Sequence, residues 1–525
     1  MSKNYDAIII GAGHNSLVCA AELARRKWRV LVLEQADTPG GAVKTLELTE
    51  PGFRHDWAAM NLSLFAGSPF HKGNAAALAG HGLAFAPAQN CFASVFPDGR
   101  WLGVTTGSDA TRNRIAGFSE KDAAAWDALV ADFPKTAEYL FAVLGSPMKM
   151  HVIAKTFAKA WWKHGFAWTG SLVRLMLSSP RAWLGETFES DHVRATLAAW
   201  GMHLDFAPDI SGGAIFPYLE SMANQAFGMV IGKGGADTLT NSLCGLVTAE
   251  GGTIRTGARV TKILRDGDRA VGVEIEGGET VHAAKAVIAN VAPRNLVDGL
   301  LGGSSGDARF DKAMRGFAHA PGTMMIHLSL NALPDWSASP ELKSFAYVHI
   351  APSLDQMAKT YQQAKAGLLP DEPVIVVGQP TAIDPSRAPE GKHVLWVQVR
   401  MAPGEILGDA GGTIAARNWA GAAEPFADRV LDMIERHAPG FRASIRKSVI
   451  VTPNDLEVDN PNLVGGDQVC GSHHLSQHFI FRPALGNASG ETPIRGLHLT
   501  GAAVWPGAGT GAGSGTMLAR LLAGK

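Results

Sequence analysis

Gly11 and Gly13, then Glu34, then Gly40 and Gly41 are the first residues in this chain whose types and spacing could do chemistry. A glycine at position 11 permits a tight turn, and one at position 13 lets the backbone approach a pyrophosphate. Glu34 follows Gly13 by 21 residues, the distance at which an acid reaches ribose hydroxyls in a dinucleotide fold. Ser16 replaces the third glycine of the G-x-G-x-x-G pattern, and its small side chain still permits close helix–strand packing. Near the other end, Gly511, Gly513 and Gly515 precede Thr516-Met517-Leu518-Ala519. Glycines before a helix let backbone N–H groups crowd an anionic or electron-rich atom, and the helix start adds partial positive charge. A further run, Gly232-Lys233-Gly234-Gly235, follows Met229-Val230-Ile231 but lacks the acid that would close a second nucleotide unit.

Candidate acid–base groups are His203 and Asp205 in GMHLDFAP, His55 and Asp56 in FRHDW, and His473, His474 and His478. Any one of the 18 histidines is more often structural than catalytic, so these are candidates only. His14, in the first turn after Gly13, is placed to touch a cofactor.

Several elements must position these groups. Ala7–Ile10 and Val30–Leu33 are short, β-branched runs of the kind buried on both faces of a parallel sheet, and a helical pattern joins them from Ser16 to Arg26. Gly234–Ala249 reads as a second helix. Short alternating segments follow to residue 289, with turns at Asp266-Gly267 and Gly277-Gly278. The end reads as strand, glycine-rich loop and helix. The expected architecture is α/β: residues 1–70, 229–300 and 466–525 form a discontinuous cofactor domain. Residues 71–228 and 301–465 form an inserted α+β substrate domain, with a mixed sheet at Thr323–Leu330, Val374–Gly378 and Val394–Met401.

Composition excludes several classes. A net charge of −1 gives no basic footprint for nucleic acid. Cys19, Cys91, Cys244 and Cys470 lie far apart, without dithiol or metal-type spacing, which fits a reducing compartment and predicts no metal site. A first strand beginning by Tyr5 leaves no room for a secretory signal, and no stretch reaches the ~18 apolar residues of a spanning helix. The expectation is a cytoplasmic protein. One segment points further: in Ile153–Phe166, Lys155, Lys159 and Lys163 recur at i,i+4, opposite Ile153, Phe157 and Trp161. This basic, aromatic helix suits a membrane surface, and it suits equally a helix packed on its own domain.

The blocks IIIGAGHNSLVCAAELA, VLVLEQADTPGGAV, PGFRHDW, IGKGGADTL, VIANVAP, DPSRAPEGKH, HHLSQHFIFRPALG and GLHLTGAAVWPGAGTGAGSG together resemble the phytoene-desaturase-like flavoproteins over nearly the whole chain. The resemblance implies a glutathione-reductase-like, Rossmann-type domain holding one noncovalent FAD. By it, Gly11, Gly13, Asn15 and Ser16 would hold the pyrophosphate, with His14 close by; Glu34, with Gln35 beside it, would hold the adenosine ribose. Gly40 and Gly41 would line the ribityl–phosphate stretch, with Lys44 the nearest cation, and Val260 would meet adenine through its backbone. Gly501, Ala502, Gly513, Ser514 and Gly515 would hold the flavin end, with Trp505 as a wall at the flavin face. The implied reaction moves a hydride between flavin and a hydrophobic, unsaturated, isoprenoid-like substrate, by C–C desaturation, saturation or isomerisation. Oxygen or a quinone would accept the electrons. Amine or alcohol oxidation on the same fold, and a mainly binding role at a membrane, are the alternatives. Three positions depart from the family pattern: Ser16 for glycine, Ala42 for an arginine after Gly41, and Trp505 for a histidine.

Overall fold

A computed structural model describes residues 5–524. The first sheet is built around four parallel strands, Thr253–Arg255, Val30–Leu33, Tyr5–Ile10 and Glu279–Ala289, with Leu497–Leu499 added beside the last. Each of the two central strands buries Ile, Leu, Val or Ala on both faces, as parallel strands under helices must. Glu279–Ala289 is long enough for two tasks. Its first half pairs antiparallel with Arg269–Ile275, which pairs in turn with Val260–Asp266; its second half runs parallel to Tyr5–Ile10.

The helix after the first strand spans His14–Arg25, two residues earlier than its apolar pattern alone indicates, because Gly13 takes the N-cap position. The helix expected from Gly234 begins at Asp237. Gly234 and Gly235 have φ of +81° and +152°, which no helix accommodates. On one face of the sheet, His14–Arg25, Asp237–Ala249 and the terminal helix Gly513–Ala523 share a core with Phe65, Phe70 and Leu78.

The second sheet has seven strands in the order Ile445–Val451, Gly322–Leu330, His393–Ala402, Val374–Gly378, Tyr347–Ile350, Asn90–Val95, Trp101–Thr105. It is mixed, since Tyr347–Ile350 runs parallel to Asn90–Val95. Over one face lie Glu120–Leu144, Asp191–Met202 and Ile215–Phe227.

Three separated blocks meet where the two sheets join. The Asp56 carboxylate pairs with the Arg387 guanidinium, and both side chains are shut off from solvent. Asp56 also accepts from Thr45 Oγ1 (2.7 Å) and the Ala236 N–H (2.9 Å), while Arg387 donates to the Gly232 carbonyl (3.2 Å). Asp384 accepts the Gly234 N–H at 2.6 Å. The FRHDW, IGKGGADTL and DPSRAPEGKH blocks are thus one structural knot. His55, an acid–base candidate from sequence, is buried beside it against Thr49 (2.8 Å), and burial holds its imidazole far below the ordinary value. Both His55 and Asp56 are structural.

Removing one member of a buried pair strands the other charge. Arg387→Met is expected to destabilise the protein by about 3–5 kcal/mol, and the double variant Asp56→Leu/Arg387→Met to recover most of that loss. Unfolding by denaturant measures both; a double variant no more stable than the single would show that the charge is not the cause.

Candidate functional site

A single cavity of about 1440 Å³ runs from the first sheet to the second. Pockets that hold one small ligand are commonly about 300–1,000 Å³, so this one has room for a dinucleotide and a second molecule. Its nucleotide end is made by the carboxyl ends of the parallel strands, where ligands bind in open α/β sheets.

Gly11, Gly13, His14, Asn15, Glu34, Gln35, Gly40, Gly41, Lys44 and Val260 all line it. Gly13 and Gly40 form an isolated parallel bridge, bringing the two glycine turns together. The helix start at His14 has neither a side-chain cap nor an acid in its first turn, which leaves its N–H groups free for an anion. Both oxygens of Glu34 accept backbone N–H groups, from Ala12 (2.7 Å) and Ala36 (3.0 Å). Each oxygen keeps a second lone pair, so the carboxylate can still take ribose hydroxyls from the cavity side. Lys44 is not a free cation: its ammonium pairs with Asp459 at 2.5 Å and lies over Trp57. Burial pushes His14 down to about 4, so it meets the cavity as neutral imidazole.

At the opposite side of this end, Gly501, Ala502, Gly513 and Ser514 line the cavity. Ser514 Oγ accepts the Gly501 N–H and meets Thr500 Oγ1, both at 2.9 Å, tying the strand end to the helix start. A Cβ on Gly501 would fall 2.0 Å from Asn290 Oδ1, at a φ of +101°. Asn290 is a residue that sequence reasoning missed. It lines the cavity between Gly11, Gly13 and Gly501 and donates to Ser16 Oγ at 2.9 Å. Asn462, also missed, accepts the Ala292 N–H and donates to the Asn290 carbonyl. Asn290 ends the apolar run AVIA, and a polar residue at the carboxyl end of a parallel strand was the available signal.

Four expected positions fall elsewhere. Ser16 lies under the cavity floor, buried against Asn290. Gly515 faces the first helix: a Cβ there would sit 2.2 Å from the Asn15 carbonyl, so its role is close helix–helix approach. Trp505 turns into the core, donates to the Ser146 carbonyl (3.0 Å) and packs on His478 and Phe479, while Ala502 and Pro506 on either side form the wall. Asp205 sits behind the cavity, bonded to Tyr361 Oη (3.0 Å) and His474 Nε2 (3.3 Å), and burial raises its carboxyl.

The remaining histidines divide likewise. His203 lines the second half of the cavity, 3.2 Å from His349 Nε2, and burial beside His349 and Arg400 holds it well below the ordinary value. His473 Nε2 accepts the Ala508 N–H at 3.0 Å and so braces the loop between Gly501 and Gly513. Arg482, fully buried, ties that loop to its neighbour through the carbonyls of Ala502 (2.7 Å) and Ser472 (2.8 Å). His478 lies behind it, with burial pressing the ring down to about 3.

Because His349 and His478 titrate near 3 in the fold and near 6.5 when unfolded, the unfolded chain binds more protons below pH 6.5. Their contribution is therefore complete above pH 6.5 and is lost as pH falls. Stability is expected to drop by about 2 kcal/mol for each such ring between pH 6.5 and 5. Denaturant unfolding against pH measures this slope, which His478→Phe should reduce by one proton.

Residues 9–72 match the model of the NAD(P)-binding Rossmann-like domain. The chain is 26% identical to pyridine nucleotide-disulfide oxidoreductase domain-containing protein 2 of Rattus norvegicus, over 99% of this chain and 94% of that protein. It is 24% identical to a neurosporene-forming phytoene desaturase of Cereibacter sphaeroides, over 98% and 94%. An oxidoreductase from Methanosarcina mazei shares the fold with a TM-score of 0.62 at 18% identity, over 99% of this chain and all of that one. Over nearly its whole length the chain is thus similar to phytoene-desaturase-like oxidoreductases, with a Rossmann-like domain at residues 9–72.

Proposed function

We propose that the protein is an FAD-dependent oxidoreductase that moves a hydride between flavin and a hydrophobic substrate. The observation that carries this reading is the continuous cavity: a glycine-lined, acid-closed nucleotide end opens into an aromatic chamber walled by Trp200, Tyr347 and Trp396. The nucleotide end fits FAD on its own geometry. Gly11, Gly13, Gly40 and Gly41 leave the backbone bare for phosphates, Glu34 offers its lone pairs to a ribose, and Val260 on the same lining would meet adenine in this reading. Bound FAD supplies a two-electron hydride acceptor, and the chain supplies position and dryness. Phe216, Leu219 and Ala223 give the chamber an apolar wall. His203 lines it as a neutral ring, backed at 3.2 Å by the buried His349. Oxygen or a quinone completes the turnover in this reading.

The chamber opens past Phe141, Leu64 and Phe227, large apolar side chains 43%, 55% and 70% exposed. The helix carrying Phe141 packs on Met150–Leu177, where Trp161, Trp162 and Phe166 stand exposed. Lys159 and Lys163 both pair with Glu138, so the stripe carries less free positive charge than its periodicity implies, and Gly165 (φ +84°) breaks the helix just beyond it. Among the described residues no helix is long and apolar enough to cross a membrane. We infer that this aromatic patch rests on a lipid surface and admits a lipid-soluble substrate through the adjacent mouth.

Purified protein is expected to show a flavin visible spectrum, with FAD released intact on denaturation. Glu34→Ala should weaken FAD retention about ten- to a hundredfold, since it removes charged hydrogen bonds to the ribose. Colourless protein that takes up no added FAD would overturn the assignment. On the membrane side, Trp161→Ser/Trp162→Ser/Phe166→Ser should abolish co-flotation with anionic phospholipid vesicles while leaving the flavin spectrum unchanged.

A further inference from the structure

Helix Ile215–Phe227 turns Phe216, Leu219, Glu220, Ala223 and Phe227 toward the chamber, a stripe at helical spacing with one ionisable side chain in it. The cavity holds three carboxylates among its described lining residues. Glu34 is engaged by backbone N–H groups, and Asp459 is paired with Lys44. Glu220 is different. No cation pairs with it among the described residues, and Asn224, one turn on, gives its amide to the Glu220 backbone carbonyl at 2.7 Å. The nearby positive charge is committed elsewhere: Arg400 donates to the carbonyls of Met202 (3.2 Å) and His203 (2.5 Å) and to Thr323 Oγ1 (3.3 Å). Enclosure by protein pushes the Glu220 carboxyl up to about 7, with Asn224 drawing it back.

A carboxyl without a counter-ion, facing a chamber whose walls include Phe216, Leu219, Trp200, Tyr347 and Trp396, is costly unless a ligand completes it. A pure hydrocarbon would seal Glu220 away from water and offer nothing in return. A hydroxyl or ammonium head would satisfy it, and the rings of Trp200, Tyr347 and Trp396 around the chamber favour a cation over a neutral head. We propose that Glu220 receives the hydroxyl or amine head of an otherwise apolar substrate, whose tail lies along Phe216 and Leu219 toward Phe141 and Phe227. The proposal rests on the oxidoreductase reading for the identity of the chamber, and it makes Glu220 the residue that decides substrate class.

The test uses three probes with one tail, decane, 1-decanol and decylamine, binding to holoenzyme below their aggregation limits. Quenching of tryptophan fluorescence reports occupancy, since Trp200 and Trp396 line the chamber. Decanol and decylamine are expected to bind about ten- to a hundredfold more tightly than decane, decylamine the tighter of the two. Glu220→Gln should keep the preference for decanol and lose the additional preference for decylamine; Glu220→Leu should lose both. Equal binding of all three probes, binding of none, or preferences unchanged in Glu220→Leu would each overturn the proposal. FAD content is read separately from the visible spectrum. A chain without FAD overturns the oxidoreductase reading, whereas a chain with FAD and no head-group preference overturns only the role of Glu220.

Discussion

The buried pair of Asp56 and Arg387 is the interaction on which the working geometry depends. It joins three stretches far apart in the chain, and each has a different duty. The stretch around Asp56 follows the second glycine turn, the Gly232–Gly235 turn launches a helix of the cofactor core, and Arg387 belongs to the loop before strand His393–Ala402. Two charges in a dry site are tolerated because backbone carbonyls, N–H groups and a threonine complete their hydrogen bonding. The pair sets the second sheet against the first, and the cavity exists in the space between them.

A similar division of labour governs the nucleotide end. Residues that face the cavity are glycines, backbone and a few carboxylate or amide oxygens. They are held there by side-chain bonds made partly at the cavity wall and partly behind it. Asn290 spaces Gly11, Gly13 and Gly501; Ser514 ties Gly501 to the terminal helix; Arg482 and His473 clamp the loop between them. Gly515 lets the terminal helix touch the first one. Ser16, at the position of the ordinary motif's third glycine, is small enough to stay buried and bonds Asn290.

The chamber beyond is held electrically quiet. His203 and His349 are neutral, Arg400 is covered by carbonyls, and Tyr347 is kept protonated by burial and by nearby carboxylates. Against that background one carboxyl without a counter-ion is a strong local feature. It orients a polar head and leaves the aromatic walls to choose the tail.

Local patterns along the chain were enough to reveal the nucleotide fold. Gly11, Gly13 and Glu34 carry their meaning in spacing, because strand, turn and helix are contiguous and the backbone there allows few alternatives. The strands at Val30–Leu33 and Val374–Gly378 were legible for the same reason, as short β-branched runs between turn residues. Side-chain destinations were not. Trp505 stands between two cavity-wall residues yet points into the core, Asp205 sits two residues from His203 yet faces away, and Asp56 and Arg387 meet across more than three hundred positions. Glu220 passed unnoticed, since one acid in an apolar helix reads as a surface residue until packing encloses it. Whether a polar group faces water, a partner or a ligand depends on what the rest of the chain places around it. That environment is assembled from contacts distant in sequence, so only the tertiary structure decides it.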